Sequence, residues 1–323
     1  MMTSRIIGTG SFVPTKTVSN FDLSELVDTN NDWIVERTGI VNRRIAQTDF
    51  TVSLAVKAAL AAIENASIKP DEIDLIIVAT FTPDNAMPNT ACEVQKAIGA
   101  YHAFCFDLNA ACSGFIYALQ TAHVYLKSGM SQTALVIGAE TISRIIDWKD
   151  RSTCILFGDG AGAVIVKQDS HGIIDILSGS DGSKGEFLTQ PYAHLTTPFS
   201  NSDSSSILPY LKMDGQEIFK FAVRKVPETI LTLTTRANIT PTQIQHYLLH
   251  QANKRIIHAV AKRLQVKEEC FSMNLEKYGN TSAASIPILL DELNRMGKLK
   301  EKEYLIFSGF GGGLTWGTIL LQW

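Results

Sequence analysis

No stretch of this 323-residue sequence approaches the roughly 20 consecutive apolar residues of a membrane-crossing helix. The opening segment, MMTSRIIGTGSFVP, lacks a signal-peptide pattern, so a cytoplasmic setting is expected. Cysteine is sparse and unpaired in pattern. The five residues Cys92, Cys105, Cys112, Cys154 and Cys270 are odd in number, scattered and without a CxxC pair. That speaks against a disulfide framework or a zinc site and fits a reducing compartment. Neither sign of charge dominates: 29 Lys and Arg face 32 Asp and Glu, for a formal net charge of −3. Nothing there marks a nucleic-acid binder.

The sequence does hold short apolar runs between helical patterns. LIIVAT at 75–80, FCFDL at 104–108, ALVIGA at 134–139 and AVIV at 163–166 read as buried strands. Val52, Val56, Ala59 and Ile63, then Ile116, Leu119, His123 and Leu126, recur at helical spacing. The alternation predicts an α/β protein with largely parallel sheets.

A repeat runs through it. ASIKPDEIDLIIVAT at 66–80 and ANITPTQIQHYLLHQ at 237–251 share Ala, Ile, Pro and Ile at identical spacing. In each copy the proline opens a short turn before an apolar strand. Cys112 precedes Gly129 by the same separation as Asn280 precedes Gly297, each stretch reading as a helix stopped by glycine. The chain is therefore expected to consist of two βα-rich halves meeting near residues 167–175, with no linker between them. The polar segment 178–206 reads as an inserted surface loop, and Pro227 predicts a kink in the helical stretch 216–236.

If the halves superpose, Cys112 and Asn280 occupy equivalent places at helix starts, and His250 ends a strand where Ala79 ends its counterpart. Strand ends and helix starts of α/β proteins face a common crevice. A helix start favours a thiolate, so Cys112 is a candidate nucleophile. His250 and Asn280 form a candidate donor pair for a developing oxyanion. Gly311, Gly312 and Gly313, after Phe310, offer backbone N–H groups for a second such hole beside Cys112. Taken singly, each residue reads as packing or capping; their joint placement sets them apart. GDGAG at 158–162 lacks the lysine and Ser/Thr of a phosphate loop and precedes a strand, so it reads as a tight turn.

Six motifs in order carry a resemblance from Ile6 to Trp323: VDTNNDWIVERTGI, DLNAACSGF, FGDGAGA, HQANKRII, YGNTSAASIP and FGGGLTWG. Together they resemble β-ketoacyl-acyl-carrier-protein synthase III, a thiolase-superfamily family of condensing enzymes that starts type II fatty acid synthesis. The resemblance implies a five-layered αβαβα fold, a homodimer, acyl-CoA and malonyl-acyl-carrier-protein as substrates, and no cofactor or metal. It casts residues 1–170 as the half carrying the nucleophile and 171–323 as the half carrying His and Asn.

The same resemblance implies roles. Cys112 would take the acyl group, and His250 with Asn280 would stabilise the enolate left by decarboxylation. Gly312 N–H, with that of Cys112, would hold the thioester oxygen, and Phe310 would shield the site. Trp33 and Arg151 match a pair that sandwiches the adenine of CoA. Thr29 and Arg37 match further CoA contacts, and Gly215, Phe219, Ala252 and Asn253 line the pantetheine tunnel. Lys220, Arg255, Lys262 and Arg263 match a patch that docks the acidic carrier protein. Met87 stands where many members carry Phe on a loop reaching the partner's acyl pocket, which suggests primers somewhat longer than acetyl.

Other readings on the same scaffold are a secondary-metabolism acyltransferase, a thiolase and a hydroxymethylglutaryl-CoA synthase. A thiolase would carry a second cysteine in place of Asn280, and the synthase a catalytic acid that is not found. A non-catalytic acyl-CoA or carrier-protein binding module is a further alternative, disfavoured by the intact Cys112, His250 and Asn280.

Overall fold

A computed structural model describes residues 2–192 and 210–323. The first part of the chain forms β1 (Thr3–Phe12), β2 (Thr17–Ser19), α1 (Asn20–Ser24), α2 (Asn31–Thr38), β3 (Asn42–Arg44) and α3 (Thr51–Ala66). Then come β4 (Leu75–Ala79), α4 (Thr90–Ile98), β5 (Phe104–Leu108), α5 (Gly114–Lys127), β6 (Thr133–Glu140), α6 (Arg151–Cys154) and β7 (Gly160–Asp169). The remainder gives β8 (Ile173–Ser180), β9 (Leu188–Thr189), β10 (Lys212–Met213), α7 (Gly215–Arg236), β11 (His246–Leu249) and α8 (Lys254–Leu264). It ends with α9 (Leu275–Tyr278), α10 (Ser285–Arg295), β12 (Tyr304–Gly311) and β13 (Thr315–Gln322).

Two sheets organise these elements, one in the order β1-β7-β6-β4-β5 and one in the order β11-β12-β13-β8. The sheets are mixed rather than largely parallel. β4 runs parallel to β5 and β6, and β11 to β12, but β7 is antiparallel to β1 and β6, and β13 to β12 and β8. The reason is the connections: β12 turns directly into β13 with no helical crossover, and such a link permits only antiparallel pairing.

Strand alternation builds three apolar layers. Leu75, Ile77 and Ala79 of β4 point into a central core that also takes Leu248 of β11 and Phe307 of β12, with α5 and α10 between the sheets. Ile76 and Val78 face the opposite way, against α3 and α4. Tyr247, Leu249 and Ile306 meet α7 and α8 on the far side of the second sheet. The result is a thiolase-like αβαβα sandwich of five layers. Because both faces of these strands are covered, they read as continuous apolar runs in the sequence. Among the described residues, no helix is long and apolar enough to cross a membrane.

The repeat is visible in the backbone. Pro70 and Pro241 each sit at the first position of a single 3-10 turn, and in each the backbone N–H before the proline donates to the side chain three residues on, Lys69 N to Glu72 Oε1 at 2.9 Å and Thr240 N to Gln243 Oε1 at 2.8 Å. Ser67 and Asn238, one residue after the matching alanines, both adopt φ of 54°. The pairing of Cys112 with Asn280, however, is corrected. A short turn with a left-handed first residue leads into each inter-sheet helix: Ala111 (φ 45°) before α5 and Ser282 (φ 50°) before α10. Cys112 therefore matches Ala283. Counting back from Gly129 and Gly297 misaligned them because α5 has 14 residues and α10 has 11, almost one turn fewer.

One further expectation changes. The segment 178–206 does not begin as a loop, since Ser178–Ser180 belong to β8 and Leu188–Thr189 to β9; its residues 193–206 lie outside the described part. Separately, helix α7 runs for 22 residues with Pro227 inside it, where the kink was expected. Proline cannot donate to the carbonyl four residues earlier, and that Val223 oxygen instead accepts from Arg263 Nη1 at 3.4 Å.

Candidate active site

Cys112 is buried in the turn that precedes α5, where Gly309 and Gly311 of β12 pack on its backbone. A Cβ on Gly311 would lie 2.7 Å from Cys112 N and 2.9 Å from its Cβ, so only glycine admits this approach. The Ser282 hydroxyl, arriving from the matching turn of the second half, donates to Cys112 Sγ at 3.1 Å. Burial pushes the Cys112 thiol up to about 12, opposed by Ser282 and reinforced by Glu140. Burial thus works against the thiolate that a helix start favours.

His250 follows β11 and extends its ladder, donating from its backbone N to Ser308 O at 2.8 Å. Its ring meets Phe310 edge-on at 5.4 Å, and Nδ1 lies 2.8 Å from Ser285 Oγ. Burial lowers its pKa to about 3, so the imidazole is neutral at ordinary pH. The neighbouring Gln251 holds the loop in place. Its amide donates to Leu249 O at 2.7 Å, and its oxygen accepts from Asn274 N at 3.1 Å.

Asn280 is clamped by the 156–158 turn: its N–H donates to Leu156 O at 2.8 Å, and its carbonyl accepts from Gly158 N at 3.1 Å. The tight-turn reading of GDGAG is corrected: Gly160–Gly162 already belong to β7, and Gly158 alone of the segment holds Asn280. A Cβ on Gly158 would sit 2.2 Å from Tyr278 O. The side-chain oxygen of Asn280 accepts from Ser282 N at 2.9 Å, which leaves the amide NH2 as the outward donor.

Two cavities meet at the cysteine. One, of about 200 Å3, is lined by Cys112, His250, Asn280 and Phe310 together with Gly215, Phe219, Ala252 and Asn253. The other, of about 330 Å3, runs past Cys112 and Gly312 to Phe81, Leu188, Tyr192 and Leu211. Among the described residues, only Cys112, Phe157 and Leu188 line both.

Beyond the narrower cavity, the guanidinium carbons of Arg37 and Arg151 lie 4.4 Å and 4.8 Å from the Trp33 ring centre. Arg151 also donates to Asp28 O at 2.7 Å. Asn253 Nδ2 bonds Arg37 O at 3.0 Å, which joins this group to the cavity wall. Thr29 Oγ1 is buried without a hydrogen-bond partner. Lys220, Arg255, Lys262 and Arg263 are exposed on the adjoining helices α7 and α8. Lys220 pairs with Glu217 at 2.7 Å, and Arg255 lies over Phe219 at 5.6 Å. Met87 is 87% exposed and lines neither cavity.

Ser282, Ser285 and the deep wall residues Phe81, Phe157 and Leu188 were not singled out from the sequence. The two serines stand inside YGNTSAASIP, where a hydroxyl beside Asn280 was the available signal. Glu140 was also missed. It is buried, pushed up to about 8 by that burial, and accepts hydrogen bonds from Thr82, Phe81 and Thr80.

A family model of 3-oxoacyl-acyl-carrier-protein (ACP) synthase III matches residues 106–182, and its C-terminal counterpart matches 234–323. A relative from Clostridium botulinum (strain 657 / Type Ba4), named beta-ketoacyl-ACP synthase III, is 50% identical over 319 residues, 98% of each chain. The chain belongs to the 3-oxoacyl-ACP synthase III family. It is thereby an acyltransferase of the condensing type. The crystal structure of 3-oxoacyl-ACP synthase III from Aquifex aeolicus VF5 superposes with a TM-score of 0.93 at 44% identity, covering 99% of this chain and 100% of that one. The priming beta-ketosynthase from the R1128 polyketide pathway reaches the same TM-score at 36% identity, covering 99% and 96%.

Proposed function

We propose that this synthase loads an acyl-CoA primer on Cys112 and condenses it with malonyl-ACP to a 3-oxoacyl-ACP, the first condensation of type II fatty acid synthesis. The observation that carries this reading is the placement of Cys112 at the junction of two cavities, one of which also holds His250, Asn280 and Phe310.

In the first half-reaction the Cys112 sulfur attacks the acyl carbonyl, and CoA leaves as its thiol with the proton that Cys112 gives up. The N–H groups of Cys112 and Gly312 receive the thioester oxygen. The acyl chain then lies along the cavity bounded by Phe81, Leu188 and Leu211. In the second, malonyl-ACP enters the cavity now vacated by the pantetheine arm. Its C–C bond breaks, CO2 leaves, and the electron pair moves onto the thioester oxygen as an enolate. Neutral His250 and the Asn280 amide donate to that oxygen, where one preorganised donor is worth about 3–4 kcal/mol. No strong base is needed. The enolate carbon attacks acyl-Cys112, whose sulfur departs and is reprotonated. Phe310, edge-on to His250, keeps water from both intermediates.

Trp33 and Arg151 are assigned to the adenine, with Thr29 and Arg37 as further CoA contacts and Gly215, Phe219, Ala252 and Asn253 along the pantetheine arm. The Thr29 hydroxyl, without a partner among the described residues, and the cation-binding faces of Trp33 support this, with Arg151 moving off the ring to admit the adenine. Lys220, Arg255, Lys262 and Arg263 are read as the ACP dock. Arg263 also serves α7 through Val223, so its loss would cost packing as well as charge. The reading further takes residues 1–170 and 171–323 as the two halves, a cytoplasmic setting, and no cofactor or metal. It includes a homodimer in which Met87 reaches the partner's acyl cavity. The outward position of Met87 and the aromatic cluster Phe104, Phe106 and Tyr125 at edge strand β5 support that pairing.

The test is intact-mass spectrometry after incubation with acetyl-CoA, beside Cys112→Ala, followed by addition of malonyl-ACP. An acetyl adduct on the native protein alone, discharged to a 3-oxoacyl product, is the expected result. An adduct only with longer acyl-CoA keeps the mechanism and moves the primer, whereas none with any acyl-CoA overturns the reading.

A further inference from the structure

We propose that Ser285 is a positioning residue that holds the His250 ring in the tautomer bearing its proton on Nε2, aimed into the cavity. This rests on the reading of His250 as an enolate-stabilising donor and goes beyond it. Ser285 is the first residue of α10 and is buried, as is His250. Among the described residues its Oγ has two hydrogen-bonding neighbours: His250 Nδ1 at 2.8 Å and Gln251 N at 3.4 Å.

The argument is one of proton bookkeeping. The Gln251 backbone N–H can only donate, so it fills an acceptor site on Ser285 Oγ. If His250 Nδ1 also carried a proton, the serine oxygen would receive two donors and its own hydroxyl proton would point at no acceptor in a buried site. Buried hydroxyl protons are not left so. If instead Nδ1 is bare, the hydroxyl donates to it and every group is satisfied. The single ring proton of neutral imidazole then sits on Nε2. Which nitrogen of a histidine carries its proton follows from the bond made by the other.

The consequence reaches the reaction. A neutral histidine can stabilise an enolate oxygen only through an N–H that faces it. Ser285 removes the alternative in which the proton faces the protein and a lone pair faces the enolate. Gln251 contributes twice, by donating to Ser285 and by anchoring the loop to Leu249 and Asn274. The acylation of Cys112 makes no demand on this tautomer.

The experiment compares native protein, Ser285→Ala and Ser285→Thr, each labelled with 15N-histidine. Long-range proton–nitrogen correlation spectra, with His250 assigned by its loss in His250→Gln, report which nitrogen is protonated. Acylation of Cys112 by acetyl-CoA and CO2 release from malonyl-ACP are timed separately. The native spectrum should show a bare Nδ1 and a protonated Nε2. Ser285→Ala should acylate at the native rate but release CO2 roughly 10- to 100-fold more slowly, a large part of the effect of losing one oxyanion donor. Ser285→Thr, which keeps the hydroxyl, should recover most of that loss.

A proton on Nδ1 in the native spectrum overturns the proposal, and that spectrum needs no variant to fold. Native-rate decarboxylation by Ser285→Ala overturns it too, as does an equal fall in both half-reactions that threonine does not repair. Failure of the native protein to acylate at all would instead refute the proposed function, with the tautomer still decided by the spectrum.

Discussion

Replacing Ser282 by alanine removes the hydroxyl that donates to Cys112 Sγ at 3.1 Å and leaves the backbone N–H that orients Asn280. The left-handed backbone at Ser282 does not forbid the change, because Ala111 holds nearly the same conformation in the first half. A hydrogen bond to a charged group is worth about 1.5–3 kcal/mol. Ser282 favours the thiolate, so its loss raises the Cys112 pKa, by about 1–2 units at 1.36 kcal/mol per unit. Thiolate becomes roughly 10- to 100-fold scarcer at neutral pH. A more basic thiolate is also a better nucleophile, with a sensitivity of about 0.4–0.5 per unit, so the net loss in attack rate is roughly 3- to 20-fold. Iodoacetamide alkylation and acetylation of Cys112, followed by intact mass against pH, read this directly. Both should slow within that range in Ser282→Ala, with the pH profile displaced to the alkaline side. An unchanged profile, or a displacement toward acid, would refute the argument that this hydroxyl supports the thiolate.

The buried, neutral His250 should leave a mark on acid stability. Its folded value near 3 lies below its unfolded value, so the contribution is whole above about pH 6.5 and drains as pH falls toward 3, by about 1.4 kcal/mol per pH unit. Urea titrations should show a shallower acid limb for His250→Gln, and parallel limbs would contradict this. Gly158→Ala drives a methyl to 2.2 Å from Tyr278 O and should cost about 2 kcal/mol or more in urea unfolding. Gly182→Ala, which has nothing within 4 Å, is the control expected to behave as native. Trp33→Ala should raise KM for acyl-CoA roughly 5- to 150-fold, the value of one base–aromatic stack, while CO2 release from malonyl-ACP on the preacylated enzyme keeps its rate. If Met87 enlarges the primer cavity, kcat/KM across acetyl- to decanoyl-CoA should peak beyond acetyl; strict acetyl preference would exclude that.

Strands β4, β6 and β7 were legible because burial on both faces makes each a continuous apolar run; FCFDL matched β5 in extent, but the burial expected of it is corrected, since Phe104 is exposed and the other four residues are half-buried on an edge strand. Cys112, His250 and Asn280 were legible as a group because the repeat and the six motifs converge on them. The equivalence of Cys112 with Ala283 was not, since equal spacing to a terminal glycine conceals a helix shortened by almost one turn. The antiparallel pairs were missed because apolar content reports burial and not direction. Ser282 and Ser285 act through contacts 170 and 35 residues away in sequence, distances at which periodicity carries no signal. The resting state of Cys112 also depends on how completely the fold excludes water, which local sequence does not encode.

The meeting of two cavities at one sulfur has an evolutionary side. Phe81, Tyr192 and Leu211 border the cavity that the proposed function gives to the primer, while Ile218, Phe219 and Ala252 border the one it gives to the CoA- or carrier-bound arm, and among the described residues Cys112, Phe157 and Leu188 are common to both. Changes along the first wall can therefore retune which primer is accepted without disturbing the delivery of CoA- or carrier-bound groups. Changes along the second can follow a drifting carrier protein without altering the primer. Among the described residues only these three border both cavities, so on the proposed reading a lineage can exchange one substrate at a time.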